Sequence, residues 1–255
     1  MKKIFLASIT ALLCSNSLLA NSLTFTAIGD QPYFSDEAFI RLITRINQDE
    51  TSSFTIHVGD IKRGSNFCSD EYFLKIKQQF DRFEKPLIYT PGDNEWTDCH
   101  RANNGSYDQL ERLNKLRSIF FTEKNSLGKS KIPLERQGDL MPNYASYVEN
   151  ARWTMDGVYF ITINQPGSNN NLQEDVPGAV AEYKERNAAN MIWLKNSFEI
   201  AKKNHAQAIV LSMQSDIFDP RLPKESGFAE FIKTIAFLSK NYSKPILMIE
   251  GDSHS

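Results

Sequence analysis

Four glycine–aspartate pairs, each following a short apolar run, constrain the fold of this 255-residue chain more than any other feature. The apolar runs have the length of strands, and the stretches between the first three carry apolar residues at helical spacing. This alternation predicts a layered α/β fold with crossover helices. Parallel strands end at a common edge of a sheet, so we expect the aspartates to meet there. The pairs are Gly29-Asp30, Gly59-Asp60, Gly92-Asp93 and Gly251-Asp252.

The remaining pattern extends the sheet. Asp156-Gly157 between two apolar runs is a strong hairpin signal, so part of the sheet should be antiparallel. Ser35 is a suitable N-cap for the first helix. Strands are predicted at 23–28, 54–58, 86–90, 150–155, 158–163, 208–211 and 246–249. Helices are predicted from about 35, from about 70, around 110–119, and at 179–204 and 228–238.

Two stretches, 122–142 and 165–178, lack a regular pattern. The second contains the polar run from Ser168 to Asn171. Long polar loops in compact domains often act as lids or binding loops. The alternative interpretation is that these stretches are ordinary solvent-exposed loops.

The first twenty residues are predicted to be a secretory signal peptide. Lys2 and Lys3 precede an apolar stretch that is too short to span a bilayer, and cleavage is expected after Ala20. A buried N-terminal helix is the weaker alternative. We therefore expect one exported domain over 21–255, periplasmic or extracellular, with no stable membrane insertion after cleavage.

The net charge and the number of cysteines disfavour two kinds of binding site, a basic nucleic-acid-binding face and a structural zinc site. The formal net charge is −2, which disfavours nucleic-acid binding through a basic face. Cys14 leaves with the predicted signal peptide, so Cys68 and Cys99 remain. In an oxidising compartment such a pair is more often a disulfide than two free thiols, and two cysteines with one nearby histidine are too few for a structural zinc site.

Converging carboxylates would repel one another in a partly dehydrated cleft, and a bound cation is the usual resolution. The alternative is that single aspartates, such as Asp30 or Asp60, cap the helices that follow them.

The segments that contain the Gly-Asp pairs, taken in chain order, resemble the motifs of the calcineurin-like metallophosphoesterases, a family that includes the purple acid phosphatases. That family carries Asp-x-His, Gly-Asp, Gly-Asn-His-Asp/Glu, a lone His and Gly-His-x-His, each at a strand end. The resemblance spans about residues 23 to 254. The matching segments are Gly29 to Tyr33, Gly59-Asp60, Gly92 to Glu95, Ser212 to Gln214, and Gly251 to His254.

The departures from the family pattern are systematic. Pro32 stands in the place of the first histidine, Asp93 replaces the metal-binding asparagine, and Asn94 replaces the histidine beside the phosphate. Gln214 replaces the lone histidine and Asp252 the first histidine of the last motif, which leaves His254. Four of these five replacements still offer oxygen ligands. Either the site has been rebuilt around oxygen, or it has decayed and the protein only binds a ligand.

The resemblance implies an α/β/β/α sandwich of mixed sheets flanked by helices. The family's sheet normally continues beyond the last motif, so we expect either that the chain is a fragment or that its second sheet is short. It implies one or two divalent ions held by Asp30, Asp60, Asp93 and His254, with Gln214 and Asp252 as additional ligands. Oxygen ligands favour Mg²⁺, Mn²⁺ or Ca²⁺ over zinc or iron. The implied function is a secreted phosphoester hydrolase acting on a small phosphorylated substrate, and the alternative is a non-catalytic binding protein for a phosphorylated ligand.

Four further residues are candidates for catalysis. Asn94 occupies the position of the family's histidine beside the phosphate. His100 could replace that histidine as the proton donor, because the pKa of histidine suits acid–base catalysis near neutral pH. Arg63 and Arg101 follow two of the Gly-Asp turns and could bind a phosphate. The alternatives are a surface or second-sphere role for His100 and solvated arginines. For Tyr33 a packed aromatic side chain is favoured over a ligand or phosphate donor.

Overall fold

The computed structural model describes residues 23–222 and 226–253. The predicted signal peptide and His254 lie outside these ranges. Within them, the chain is an α/β protein with two sheets and seven helices. None of the helices in the described ranges is both long and apolar enough to cross a membrane.

The first sheet has three parallel strands in the order β1-β2-β3. Its strands are joined by two crossover helices, and a third helix follows, so the predicted β-α-β-α-β-α order is confirmed. The strands are shorter than the apolar runs that predicted them. Their bounds are β1 Thr26–Ile28, α1 Asp36–Gln48, β2 Thr55–His57, α2 Asp70–Phe80, β3 Leu87–Tyr89 and α3 Gln109–Phe120.

The second sheet has five strands in the order β4-β5-β6-β7-β8. β4, β5 and β6 are antiparallel neighbours, whereas β6, β7 and β8 are parallel. The prediction of mixed sheets is therefore right for this sheet and wrong for the first, which is parallel throughout. The bounds are β4 Glu135–Arg136, α4 Gln137–Leu140, β5 Ala151–Met155, β6 Val158–Thr162, α5 Gly167–Asn170, α6 Ala179–Lys203, β7 Ala208–Ser212, α7 Ala229–Lys240 and β8 Ile246–Ile249.

Local signals explain most of these boundaries. The hairpin prediction is confirmed, because Asp156 (φ 47°) and Gly157 (φ 79°) both adopt the left-handed conformation of a two-residue hairpin turn. Ser35 accepts a hydrogen bond from the backbone N–H of Ala38 and caps α1. Ser69 caps α2 in the same way. Capping of these helices therefore does not account for Asp30 or Asp60.

The stretch 122–142, predicted to be irregular, contains β4 and α4. Both elements are too short to show a hydrophobic period, which is why the pattern missed them.

Three apolar clusters hold the layers together. One lies between the sheets and joins Phe54, Ile56 and Ile88 to Trp153 and Phe160. The second packs α1, α2 and α3 against the outer face of the first sheet, and the third packs α6 and α7 against the second sheet. The order of layers is thus helix, sheet, sheet, helix. Trp153 and Trp193 are buried in these clusters.

Candidate metal centre

The Gly-Asp turns bring their aspartates together at one edge of the two sheets. Oxygens from Asp60, Asp93 and Asp252 all lie within 4.8 Å of one another. Asp30 joins them through Tyr33, whose hydroxyl donates to Asp60 Oδ2 at 2.7 Å and lies 3.5 Å from Asp30 Oδ1. The predicted convergence of the four strand ends is therefore present in the fold.

Glycine is required where β2 and β3 end. Gly59 has a φ of +89°, and a Cβ there would lie 2.8 Å from the Cα of Gly92. A Cβ on Gly92 would overlap the carboxylate and backbone nitrogen of Asp60. The two glycines thus allow neighbouring strand ends, and the aspartates they carry, to approach closely.

Three of the aspartates share an unusual backbone. Asp30, Asp60 and Asp252 have φ angles of 55°, 57° and 68°. Non-glycine residues are uncommon in this left-handed region, although aspartate and asparagine tolerate it best. Such positions cluster at functional sites, where the surrounding structure holds them in place.

Asp60 is fully buried and surrounded by hydrogen-bond donors. Its Oδ2 accepts from the hydroxyl of Tyr33 and from Asn94 Nδ2, both at 2.7 Å. Burial and the nearby charges of Asp93 and Glu95 raise the pKa of Asp60 well above its ordinary value. Burial and the Asp60 charge likewise raise the pKa of Tyr33, so its hydroxyl stays protonated as a donor. Tyr33, for which a packed aromatic side chain is favoured from the sequence, thus also hydrogen-bonds a carboxylate of the cluster.

Asp93 is held by residues from the other sheet. Ser168 Oγ lies 2.7 Å from its Oδ2, and Gln214 Nε2 donates to its Oδ1 at 3.2 Å. The side-chain oxygen of Gln214 accepts from the backbone N–H of Gly167. Gln214 is completely buried, so its amide is fixed between Asp93 and the turn at Gly167.

One hydroxyl connects two carboxylates. Ser168 Oγ lies 2.7 Å from both Asp93 Oδ2 and Asp98 Oδ1, but it carries a single hydrogen. The hydroxyl can donate to only one of the two carboxyl groups, so the second contact is favourable only when a carboxyl group of the pair is protonated. Burial, followed by the Asp93 charge, raises the pKa of Asp98 to about 7, and Arg101 forms an ion pair with Asp98 at 2.5 Å. A proton on Asp98 would make both contacts favourable, which agrees with the raised pKa of this carboxyl.

Glu95 lies beneath the aspartates and is completely buried. Its Oε1 accepts from the backbone N–H of Asp60 and Gly92 and from the hydroxyl of Tyr89. Its Oε2 is buried and has no hydrogen-bond partner among the described residues. Burial raises the pKa of Glu95 to about 7.

Lys62 is a buried cation beside these carboxylates, and the sequence analysis missed it. Its Nζ donates to the carbonyl of Arg63 at 3.0 Å and to Asn104 Oδ1 at 2.6 Å. Burial lowers its pKa to about 8, opposed by the charges of Glu95 and Asp60. Its position two residues after a Gly-Asp turn is the only signal that the sequence offers.

The polar run from Ser168 to Asn171 forms a left-handed turn rather than a solvated loop. Its four residues have φ angles between 47° and 60°. Arg186 of α6 is 1% exposed and clamps the turn from behind, donating to Asn170 Oδ1 at 2.6 Å and to the Asn170 carbonyl at 2.9 Å. Glu182 pairs with Arg186 and accepts from Asn171. The clamp holds Ser168 against Asp93, so this stretch contributes a side chain to the acidic cluster.

The other candidate residues lie around the cluster. Asn94 donates to both Tyr33 and Asp60. Arg101 is exposed at the rim, paired with Asp98. Arg63 is exposed, and its guanidinium lies 5.5 Å from the ring centre of Phe34. His100 Nδ1 lies 2.7 Å from the carbonyl of Thr97 and 3.2 Å from Gln109 Nε2, and within the described ranges none of its hydrogen bonds reaches an aspartate of the cluster.

The predicted disulfide is present between Cys68 and Cys99. Both sulfurs lie near the carbonyl of Asn94, at 3.5 and 3.7 Å, so the bridge fastens the loops that follow β2 and β3. His57 lies inside β2, where it accepts from the Gly59 N–H and bonds the Gln31 carbonyl. Burial lowers its pKa to about 4, which makes it the satisfied core histidine that its strand position predicts.

The donor set suits a hard divalent cation. Four buried carboxyl groups, Asp60, Asp93, Glu95 and Asp98, share this edge with the half-buried Asp30 and Asp252. Among the described residues, the cations that act on the buried group are Lys62 and Arg101. Carboxyl groups thus outnumber cations here, and within the described ranges the buried Glu95 Oε2 has no hydrogen-bond partner. Carboxylate and amide oxygens are the ligands that Mg²⁺, Mn²⁺ and Ca²⁺ prefer.

Comparison of the sequence with protein-family models and with curated proteins found no match.

Proposed function

We propose that the protein is an exported, metal-dependent hydrolase of phosphoesters. The observation that carries the proposal is the set of carboxylate oxygens from Asp60, Asp93 and Asp252 within 4.8 Å of one another at the strand ends. Strand ends of layered α/β folds are where ligands bind. The order of the motifs in the chain and the four-layer architecture support the resemblance to calcineurin-like phosphoesterases. We therefore also propose that the chain has the calcineurin-like fold.

Asp60, Asp93 and Asp252 would hold the cation, together with Asp30. Gln214 would join them as a ligand only with its side-chain amide turned, because its nitrogen faces Asp93 and its oxygen accepts from the Gly167 N–H. His254 is a further ligand in this proposal. A bound divalent cation supplies positive charge that offsets the phosphate charge and lowers the pKa of a water molecule. Two ions fit the number of ligands as well as one does.

The chain's own residues then orient the substrate. The amide of Asn94 donates to the hydroxyl of Tyr33 at 2.7 Å, and both groups donate to Asp60 Oδ2. A cation on Asp60 would free these donors for a phosphate. Arg101 lies at the rim beside Asp98, with Ser168 at 3.3 Å. A phosphate between these groups would meet donors from two sides. His100 remains the proposed proton donor to the leaving group, through a change in its present hydrogen bonds to Thr97 and Gln109.

A second function, ligand binding without turnover, is favoured by one observation. Both oxygens of Asp93 and the Oδ2 of Asp60 already engage side-chain hydroxyl or amide groups. Such donors can neutralise a carboxylate cluster by hydrogen bonding alone, and they compete with a metal for the same lone pairs.

Hydrolysis of p-nitrophenyl phosphate, measured with Mg²⁺, Mn²⁺, Ca²⁺ and Zn²⁺ in turn, tests the first function. We expect turnover with at least one hard cation and its loss in Asp60→Ala. Equal rates in the two proteins with every metal would rule out the enzyme. Calorimetric titration of phosphate in the presence of each metal separates the two functions. A binding protein would retain metal-dependent affinity for phosphate but would release no nitrophenol.

A further inference from the structure

A basic surface lies at the end of the second sheet opposite the acidic cluster. Gln214 and Asp252 follow the ends of β7 and β8, whereas this surface is formed where the two strands begin and along the exposed face of α7. The segments 200–215 and 231–249, which contain both strand starts, carry no aspartate or glutamate. Their lysines are all exposed, and these five define the basic surface: Lys202, Lys203, Lys233, Lys240 and Lys244.

The charges of this surface are only partly explained by the fold. Among the described residues, none of the five lysines forms an ion pair. A favourable contact with the helix dipole accounts for the lysines in the last turns of α6 and α7. It does not account for Lys233, near the start of α7, or for Lys244, beyond its end.

Two acidic residues border the basic surface. Glu199 lies on α6, and Asp156 lies in the hairpin turn whose Gly157 carbonyl accepts from the backbone N–H of Gln207. Five lysines against these two carboxylates leave the surface positive, although the whole chain has a net charge of −2. The cations are therefore gathered at one end of the molecule and the acidic cluster at the other.

A cavity of about 270 Å³ opens in this surface between the C-terminal ends of α6 and α7. Its buried part consists of Ala206 and Tyr242, and the Tyr242 hydroxyl donates to the Ala206 carbonyl at 3.1 Å. The basic residues of its lining are Lys202, His205 and Lys244, and its described lining includes no carboxylate. A phosphate group in this cavity would meet positive charge from both helix ends.

An exposed aromatic ring extends the surface along α7. Phe237 is 67% exposed, and it lies four residues after Lys233 and three before Lys240. This spacing places the ring and both lysines on one face of the helix. Such a ring can enter the boundary between lipid headgroups and acyl chains, while lysines beside it remain at the phosphates.

We propose that the basic surface docks the protein on an anionic lipid surface, with a lipid phosphate in the cavity. Anionic lipids attract clustered lysines, and they also give Phe237 an apolar contact that a soluble polyanion does not offer. A second copy docked through the same surface would bring like charges together. In the docked orientation the acidic cluster faces away from the lipid. The docking is independent of the proposed hydrolysis.

Co-sedimentation of the full chain with vesicles tests the proposal. One set of vesicles is phosphatidylcholine alone, and the other is an equimolar mixture of phosphatidylcholine and phosphatidylglycerol. We expect the mixed vesicles to bind at least about tenfold more tightly, with the difference shrinking as salt is raised. Any binding through the predicted signal peptide is common to all variants and cancels in their comparison.

The triple variant Lys202→Gln, Lys203→Gln and Lys244→Gln should bind the mixed vesicles about a hundredfold more weakly, since each lysine near the lipid contributes about fivefold. Phe237→Ser removes the ring and keeps the charges, and it should weaken binding about three- to tenfold. Melting curves verify that both variants fold.

The matched control removes three exposed lysines that already form ion pairs: Lys124→Gln, Lys129→Gln and Lys131→Gln. It changes the net charge equally, so an equal loss of binding would show that overall charge acts, and not this surface. Displacement of the vesicles by polyphosphate, with Phe237→Ser binding like the wild type, would assign the surface to a soluble polyanion instead. Equal binding to both vesicle types, or none to either, would overturn the docking proposal.

Discussion

The hydroxyl of Ser168 lies 2.7 Å from the carboxylate of Asp93, although 75 positions separate them in the chain. The same oxygen lies 2.7 Å from Asp98. This contact joins the turn after β6 to the loop after β3, and so it ties the two sheets together at the acidic cluster.

The first prediction concerns this hydroxyl. Ser168→Ala removes the one hydroxyl that bridges two buried carboxyl groups, so the free energy of unfolding should fall by about 1–3 kcal/mol. Ser168→Gly removes the same hydroxyl but relieves the left-handed backbone, and it should cost about 1 kcal/mol less than the alanine variant. Urea unfolding in the presence of a chelator measures both values. If the alanine variant unfolds like the wild type, the hydroxyl does not hold the cluster together.

The second prediction is a fall in stability with rising pH. Folding raises the pKa of Glu95 from 4.5 to about 7 and that of Asp98 from 3.8 to about 7, through burial in both cases. The folded chain therefore binds protons that the unfolded chain has released, and the free energy of unfolding decreases as pH rises between the two values. His57 acts in the opposite direction below its ordinary pKa of 6.5, because burial lowers it to about 4.

The net loss should therefore be clearest between about pH 6 and 8, and it should reach about 1–3 kcal/mol for the chelated protein. Unfolding curves at a series of pH values provide the measurement, and Glu95→Gln should make the slope shallower. A flat or rising profile over this interval would show that the buried carboxyls are not protonated in the folded protein.

The third prediction separates the charge of Lys62 from its hydrogen bonds. Lys62→Met removes a buried cation from beside four carboxyl groups, so the metal-free protein should lose roughly 3–5 kcal/mol of stability. The same change should strengthen the binding of Mg²⁺ or Mn²⁺ about tenfold, because it removes a nearby positive charge.

Asn104→Ala is the matched control for Lys62. It removes the acceptor at 2.6 Å but keeps the charge, so it should lower stability without strengthening metal binding. Titration calorimetry on both variants distinguishes the two effects. Weaker metal binding in Lys62→Met would mean that the lysine organises the ligands rather than opposing the cation.

The sequence predicted the parts of the site that follow local rules. Strand length, helical spacing and the Gly-Asp turns were sufficient to predict that Asp30, Asp60, Asp93 and Asp252 would meet, because parallel strands share an edge. Cys68 and Cys99 followed from their number and the predicted compartment.

The contacts that hold the cluster are long-range and could not be predicted. Ser168 reaches Asp93 only because Arg186, on a helix that follows, clamps a left-handed turn that has no hydrophobic period. The hydrogen bond from Tyr33 to Asp60 is also long-range, and an isolated aromatic residue after a strand gives no indication of which carboxylate its hydroxyl will contact. In the sequence, Lys62 cannot be distinguished from an exposed loop lysine. Its burial depends on packing against Asn104, which is 42 positions away in the chain.

The last prediction concerns the Cys68–Cys99 bridge, which closes a loop with a sequence separation of 31. Its loss should cost roughly 3–4 kcal/mol in the chain-entropy description of disulfides. Cys68→Ala, Cys99→Ala and the double variant all break the same bond, so each should lose nearly the same stability and the single losses should not add. Because both sulfurs lie against the carbonyl of Asn94, the variants should also bind divalent metal more weakly than the oxidised protein. Unfolding and calorimetry on the three variants check both expectations, and additive single losses would show that the cysteines contribute through their separate packing instead.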